Sequence, residues 1–355
     1  MSTAAVRAPF DEDLDGVFNT IGADGWEPLR GQRLFLTGGT GFVGKWLLAT
    51  LQHADRQLGL GCSITVLSRN PDAFRAEAGF LANAPGVTLL RGDVRSFDPP
   101  AGAFDVVIHA ATDVVAAAAP LDVFDSCVLG TRRVLDLAVA AQARQVLLVS
   151  SGALYGRQPD DVAGVAESYQ GAPDITDVRS AYGEGKRVTE WLGAAYAQQA
   201  GLDVRVARCF AFVGPYLPLD KHFALGNFLR DAMADQPIVI RGDGTAQRTY
   251  LYAADMAAWL WAILLRGERG GTYNVGGGEV VSVAQLATRV AGALGSASAV
   301  TVQQQRTAGM APERYVPDTR KALAGLGLPQ PLPLDQAIQR TAAWHRATTA
   351  AAVAA

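Results

Sequence analysis

Short apolar runs closed by glycine or polar turns alternate with stretches of helical period over the first two-thirds of the chain. "QRLFLTGG" reads as a buried strand ending in glycine, and "GKWLLATLQHADRQL" after it places its apolar residues at helical spacing. "SITVLSRN", "VTLLRGDV" and "FDVVIHAA" read as three more strands. The helix "VLGTRRVLDLAVAAQ", a fifth strand in "RQVLLVSSGALYG", the long helix "SAYGEGKRVTEWLGAAYAQQ" and the strand "DVRVARCF" follow. The strands are continuous β-branched or leucine runs, which predicts a parallel sheet buried on both faces by the intervening helices. After Gly214 the alternation breaks into pieces punctuated by proline and glycine, such as "VGPYLPLDKH" and "GTYNVGGGEVVSV", and these predict a smaller, irregular lobe. "GLPQPLPLDQAIQRTAAWH" predicts a closing helix, and no internal repeat is visible.

Composition narrows the classes. A chain of 355 residues buries a full core without staples, and 49% hydrophobic and 18% charged residues with a net charge of −3 describe a globular protein. There is no basic stripe for nucleic acid and no apolar run long enough to span a membrane. "MSTAAVRAPFDEDLDG" lacks the apolar core of a signal peptide. Cys62, Cys127 and Cys209 are odd in number and form no CxxC pair, so neither a disulfide framework nor a zinc site is expected and a reducing cytoplasm is. His53, His109, His222 and His345 show no metal-ligand spacing.

"LFLTGGTGFVGK" sets Gly38, Gly41 and Gly44 three residues apart between the first strand and the first helix. Glycine lets the backbone turn tightly against a pyrophosphate, and the helix N-terminus behind it offers unpaired N–H groups and positive dipole charge. An ordinary glycine-rich turn is the bland alternative, but the strand–turn–helix context is the one dinucleotide binding requires. The fold expected is therefore α/β: a Rossmann-type doubly wound parallel sheet with a smaller, irregular C-terminal substrate lobe. Its divisions are a polar N-terminal extension over 1–30, with a short helix around Leu14–Ile21, and the dinucleotide-binding domain over 31–212. The substrate lobe spans 213–345, with some segments returning to the sheet, and 346–355 is a flexible, low-complexity tail.

In "SAYGEGK", Tyr182 precedes Lys186 by four residues, so the two share one helix face. A free phenol titrates near pH ~10, and a neighbouring ammonium lowers that value by favouring the phenolate. A phenol poised this way exchanges a proton with a substrate hydroxyl. Gly183 and Gly185 are expected to keep side-chain bulk away from a cofactor and sugar at the helix start. Upstream, "VSSGALYG" ends a buried strand at the carboxyl edge of the sheet, where open α/β folds bind ligands, with Ser151 foremost and Ser150 behind it.

From Gln32 to His345 the chain resembles the extended short-chain dehydrogenase/reductase family, the NAD-dependent epimerase/dehydratase group that modifies nucleotide sugars. The residues that carry the resemblance are "TGGTGFVG", "GDV" at 92–94, "HAA" at 109–111, "SSGALYG", "YGEGK", Gly214–Pro215, Asn227–Phe228 and "GDGTAQRTY". It implies a cofactor bound by Gly38, Gly41, Phe42, Val43, Gly44, Ser68, Arg69, Asp93, Val94, Ala110, Ala111, Tyr182 and Lys186. It implies Tyr182 as the acid/base, Lys186 also on the nicotinamide ribose, and Ser151 holding the reacting sugar oxygen. Asn227 and Arg248 are the implied contacts to a nucleotide-diphosphate sugar, Arg248 clamping the pyrophosphate, with Arg306 or Arg314 as a second clamp. A cytoplasmic homodimer is expected.

The departures are informative. Dehydratases of the family follow the catalytic hydroxyl residue with Asp-Glu, and sugar-acid decarboxylases carry a glutamate one place further on. This chain has Gly152 and Ala153 there. Redox chemistry without elimination or decarboxylation remains. Cys127 and Ala211 stand where the family has asparagines. The first expectation is an epimerase working through a transient keto-sugar at C4. A keto-sugar reductase using NADPH is the second, and a non-catalytic NAD(P)-sensing protein the third. For the cofactor, "ITVLSRNPD" ends its strand with Ser68 and Arg69 instead of a carboxylate, and Asp72 reads as a first-turn helix charge. NAD(P) is expected, with NADP favoured over NAD.

Overall fold

The computed structural model describes residues 6–112, 119–221, 223–307 and 309–354; His222 and the first five residues of the N-terminal extension lie outside them. Seven parallel strands form its centre: β1 (Arg33–Thr37), β2 (Ser63–Ser68), β3 (Val87–Arg91), β4 (Val106–His109), β5 (Gln145–Ser151), β6 (Asp203–Cys209) and, from far later in the chain, β11 (Thr272–Val275). Their spatial order is β11-β6-β5-β4-β1-β2-β3. The order reverses between β1 and β4, where Thr37 pairs with His109, and the crevice above that point is where doubly wound sheets bind ligands.

The remaining strands make three small sheets. β7 (Ala211–Val213) pairs with β10 (Tyr250–Tyr252), and β8 (Ile238–Ile240) with β13 (Val300–Val302). β9 (Gln247–Arg248) lies between β12 (Val281–Ser282) and β14 (Arg314–Tyr315). The helices are α1 (Asp11–Ile21), α2 (Ala23–Trp26), α3 (Phe42–Leu58), α4 (Pro71–Glu77), α5 (Gly79–Ala82) and α6 (Pro120–Ala140). The second half of the chain adds α7 (Ala181–Ala200), α8 (Ala224–Met233), α9 (Ala253–Arg266), α10 (Val283–Leu294), α11 (Arg320–Leu326) and α12 (Leu334–Ala354).

Alternate residues of the strands feed two cores, as the pleat requires. Leu34, Leu36, Ile108 and Leu147 point towards α3 and α9, while Phe35, Val107, Leu148 and Val204 point towards α6 and α7. α9 is apolar on nearly all sides and is almost entirely buried, as such a helix must be. Among the described residues, no helix is long and apolar enough to cross a membrane.

Two ends of the chain differ from what the sequence pattern predicts. The N-terminal extension is largely ordered: α1 packs on α3 and α9 through Leu14, Val17 and Ile21. Its Asp13 is buried and accepts from the Tyr252 hydroxyl at 2.7 Å and from Arg340 Nη1 at 2.7 Å, joining α1 to β10 and α12. At the other end, α12 runs on to Ala354 where a flexible tail was expected from 346. Alanine is the best helix former, and the hydroxyls of Thr348 and Thr349 donate to the carbonyls of Trp344 and His345 in place of solvent.

Candidate active site

The glycine turn sits at the end of β1, directly above the reversal of strand order. Gly38 adopts φ +73°, and a Cβ on it would lie 2.5 Å from the Ala110 carbonyl carbon, so only glycine lets this turn lie against the Ala110–Ala111 segment. Gly44 is equally constrained: its Cβ would fall 2.3 Å from Gly39 Cα, and its absence lets α3 seat on the turn. Gly41 differs. A Cβ there would meet only the Gly38 carbonyl oxygen, at 3.4 Å, so glycine keeps the mouth of the helix open. Gly41, Phe42 and Val43 form that mouth, and no side chain caps the first-turn N–H groups. This is a cradle for a phosphate. Opposite, Thr37 Oγ1 receives the Ala111 N–H at 3.2 Å and contacts His109 Nδ1 at 2.7 Å. His109 Nε2 reaches Thr131 on α6, and burial pushes the imidazole down to about 3, so it is a neutral strut. These residues fit a dinucleotide.

At the neighbouring strand tips the expected residues are present with partners. Ser68 is buried and its hydroxyl accepts from the Asn70 N–H, while Arg69 is exposed beside Asp93. The Asp93 carboxylate is gripped by Arg95, which holds it below the usual carboxylate range. Val94 packs towards α6 at Gly130. Asp72 is bound by Arg75 and Arg91 in the first turn of α4, as its position after Asn70–Pro71 implies.

Ser151 ends β5, and α7 brings Tyr182 and Lys186 to the same cleft. The Lys186 side chain is 3% exposed, with Nζ donating to the Val149 carbonyl at 2.8 Å and to Thr112 Oγ1 at 2.7 Å. It lies 5.8 Å from the centre of the Tyr182 ring. The electrostatics differ from the sequence expectation: burial dominates and holds the Tyr182 phenol well above its ordinary value, with the facing Ser151 hydroxyl opposing. Burial also lowers Lys186, and Glu190 one turn on partly restores it. In this structure Tyr182 is a protonated phenol.

The glycines between them also have a different cause from the one expected. A Cβ on Gly183 would lie 2.7 Å from the Ala153 carbonyl oxygen, and one on Gly185 2.7 Å from Cys127 Cβ. They let α7 lie tightly on residues 152–155 and on α6; they do not clear space for a ligand.

Two aromatic residues that sequence reasoning passed over complete the cleft. Phe210 covers Gly152: a Cβ on the glycine would be 2.5 Å from Phe210 Cζ. Tyr315, on β14, stacks on Phe210 with ring centres 4.6 Å apart and places its hydroxyl 3.3 Å from Ser151 Oγ. No periodicity marks Tyr315, because its strand is two residues long and follows an irregular segment. Behind them Arg208 forms a buried ion pair with Glu190 and donates to Tyr155 Oη at 2.7 Å.

In the second lobe, Arg248 donates to Glu313 at 2.7 Å and lies 5.7 Å from the Tyr315 ring centre, beside the catalytic hydroxyls. Asn227 lines a separate stretch of the cleft, about 800 Å³, with Lys221, Arg230, Arg241 and Asp243. Arg314 donates to the Ala163 carbonyl, and Arg306 lies near Asp243.

A phosphate cradle at the sheet reversal, facing a serine, a phenol and a buried ammonium, defines a dinucleotide-dependent oxidoreductase of the short-chain type. The chain belongs to the NAD dependent epimerase/dehydratase family, whose model matches residues 34–276. It is 28% identical over 318 residues to UDP-glucuronic acid decarboxylase 1 of Xenopus tropicalis, covering 89% of this chain and 72% of that one. The structure resembles UDP-glucose 4-epimerase of Thermotoga maritima, solved with UDP-glucose, at a TM-score of 0.74 and 20% identity over 89% of this chain and 99% of that chain. It also resembles dTDP-glucose 4,6-dehydratase of Streptomyces venezuelae, solved with NAD, at a TM-score of 0.72 and 26% identity over 89% and 97% of the two chains.

Proposed function

We propose that the protein is an NAD(P)-dependent nucleotide-sugar epimerase that works through a transient keto-sugar at C4. One observation carries this reading: the serine, tyrosine and lysine stand together beside a stretch that has no acid. Residues 152 and 153 are glycine and alanine, and the Phe210 ring fills the space a side chain at 152 would take. A carboxylate that removes water or helps expel carbon dioxide has no place there.

NAD, when bound at the glycine turn, supplies the hydride acceptor and donor. Tyr182 takes the proton of the sugar hydroxyl as the carbon is oxidised and returns it after the keto-sugar has presented its other face. Ser151 holds the oxygen through both steps. Lys186, fixed by Val149 and Thr112, supplies the positive charge that favours the phenolate. Arg248 exchanges the exposed Glu313 for pyrophosphate oxygens, a partner suited to its planar fork, and Asn227 lies where a nucleotide enters the cleft.

A second reading, a keto-sugar reductase drawing on NADPH, is favoured by the charge at the tip of β2. Arg69 and Arg91 lie there, and the nearby Asp72 is already bound by two arginines. Incubation with UDP-, dTDP-, GDP- and CDP-hexoses, with products resolved by NMR, separates the two. Interconversion of C4 epimers without net cofactor turnover supports the first. Stoichiometric NADPH consumption on a keto-sugar supports the second, and inertness towards all of them removes both.

A further inference from the structure

The Tyr315 hydroxyl lies 3.3 Å from Ser151 Oγ and 3.3 Å from the Cys209 carbonyl oxygen. A carbonyl only accepts, so the single proton of this phenol is committed to Cys209. The contact with Ser151 therefore runs the other way, with Ser151 donating and Tyr315 accepting. Ser151 has only one proton as well. While that proton points at Tyr315, Ser151 can offer the facing Tyr182 phenol nothing but a lone pair. The Ala153 N–H reinforces the arrangement: it donates to Ser151 Oγ at 3.2 Å and also faces the Tyr315 oxygen, so both oxygens are supplied as acceptors. A phenolate at Tyr182 needs donors, and in this geometry Ser151 is not one.

We propose that Tyr315 is a positioning residue that holds the Ser151 proton away from Tyr182 in the substrate-free enzyme and gives it up when a sugar hydroxyl enters the cleft. The proposal rests on the assignment of Ser151 and Tyr182 to catalysis made above. Both Tyr315 contacts are long for hydroxyl hydrogen bonds, whose usual length is about 2.7–2.8 Å, so an incoming hydroxyl replaces them readily. The remaining titratable or charged neighbours of this hydroxyl group are Lys186 from α7, Cys127 from α6, Cys209 from β6 and Arg248 from β9. None of them supplies Ser151 with a competing acceptor carboxylate. Tyr315 enters from the second lobe on the strand that pairs with Arg248, so the residue steering the serine and the proposed pyrophosphate clamp share one two-strand ladder.

Neutron diffraction from deuterium-exchanged, substrate-free crystals reads the proton positions without any turnover. The expected map shows the Ser151 deuteron directed at Tyr315 and the Tyr315 deuteron at the Cys209 carbonyl; a Ser151 deuteron directed at Tyr182 overturns the proposal. Tyr315→Phe then tests the consequence. With the acceptor gone, Ser151 turns to the Tyr182 oxygen, and the acidic limb of the kcat/KM profile for nucleotide-sugar oxidation moves down by about half to one pH unit, with KM for NAD unchanged. A limb that stays in place or moves up contradicts it, since a purely structural loss lowers the rate without moving the limb. If the wild-type enzyme oxidises no nucleotide sugar, the functional reading fails while the neutron map still decides the role of Tyr315.

Discussion

The ring of Phe210 occupies the space into which a side chain on Gly152 would project, 2.5 Å from the position of its Cβ. The relation joins two sequence positions 58 residues apart and explains why the missing acid after Ser151 cannot be supplied by a single substitution. An aspartate at 152 would first have to displace a side chain of the Leu154–Tyr155–Val165–Phe210 cluster. Gly152→Asp is accordingly expected to lower stability by about 1–3 kcal/mol through overpacking and to confer no elimination activity. Urea unfolding checks the first part, and an unchanged midpoint contradicts it.

Tyr182→Phe keeps the ring in the first turn of α7 and removes the proton carrier. Turnover is expected to fall ~10²–10⁴-fold, the range for loss of a general acid–base group. NAD affinity, set at the glycine turn and by Lys186, should change little. Steady-state rates beside calorimetric NAD binding measure both, and near-normal turnover removes Tyr182 from its role.

Arg248→Ala probes the second lobe. Loss of charge-assisted hydrogen bonds to a pyrophosphate costs about 1.5–3 kcal/mol, or ~10–150-fold in affinity for UDP or dTDP by the usual conversion. Equal binding by variant and wild type contradicts the clamp. Because Arg248 already bonds an exposed Glu313, its removal is expected to leave folding nearly unaffected.

Asp13 tests the N-terminal extension. Asp13→Ala strips partners from the buried Tyr252 hydroxyl and from Arg340, and is expected to destabilise by about 1–3 kcal/mol. Asp11→Ala, an exposed change on the same helix, is the control and should stay within about 0.5 kcal/mol. Matching midpoints for the two variants would show α1 to be a loosely attached appendage.

The sheet was readable because its strands are buried on both faces and so stand out as unbroken apolar runs between helical stretches. The cleft residues from β1, β5 and α7 were readable for a related reason: Gly38, Ser151, Tyr182 and Lys186 sit at element boundaries that the pattern locates. Tyr315 and Phe210 were not. They reach Ser151 and Gly152 through tertiary packing, from a two-residue strand and a strand end, and nothing local to them announces a ligand site. Gly183 and Gly185 could be seen but not explained, because the atoms they accommodate belong to Ala153 and Cys127 on other elements. The protonated state of Tyr182 likewise depends on burial, which spacing from Lys186 does not convey.

The tip of β2 yields a cofactor prediction. Arg69 and Arg91 favour a 2′-phosphate, so calorimetric titration of stripped protein is expected to show tighter binding of NADP than of NAD, with Arg69→Ala narrowing the difference. Tighter NAD binding contradicts that assignment and strengthens the epimerase reading over the reductase.

Product mass tests the central claim most directly. With NAD(P) present, nucleotide hexoses and nucleotide uronic acids are incubated with the enzyme and the nucleotide-linked products weighed by mass spectrometry. A cleft that holds Ser151, Tyr182 and Lys186 but no acid at 152 or 153 predicts products of unchanged mass, or changed by two hydrogens. Stoichiometric loss of water or of carbon dioxide would contradict it.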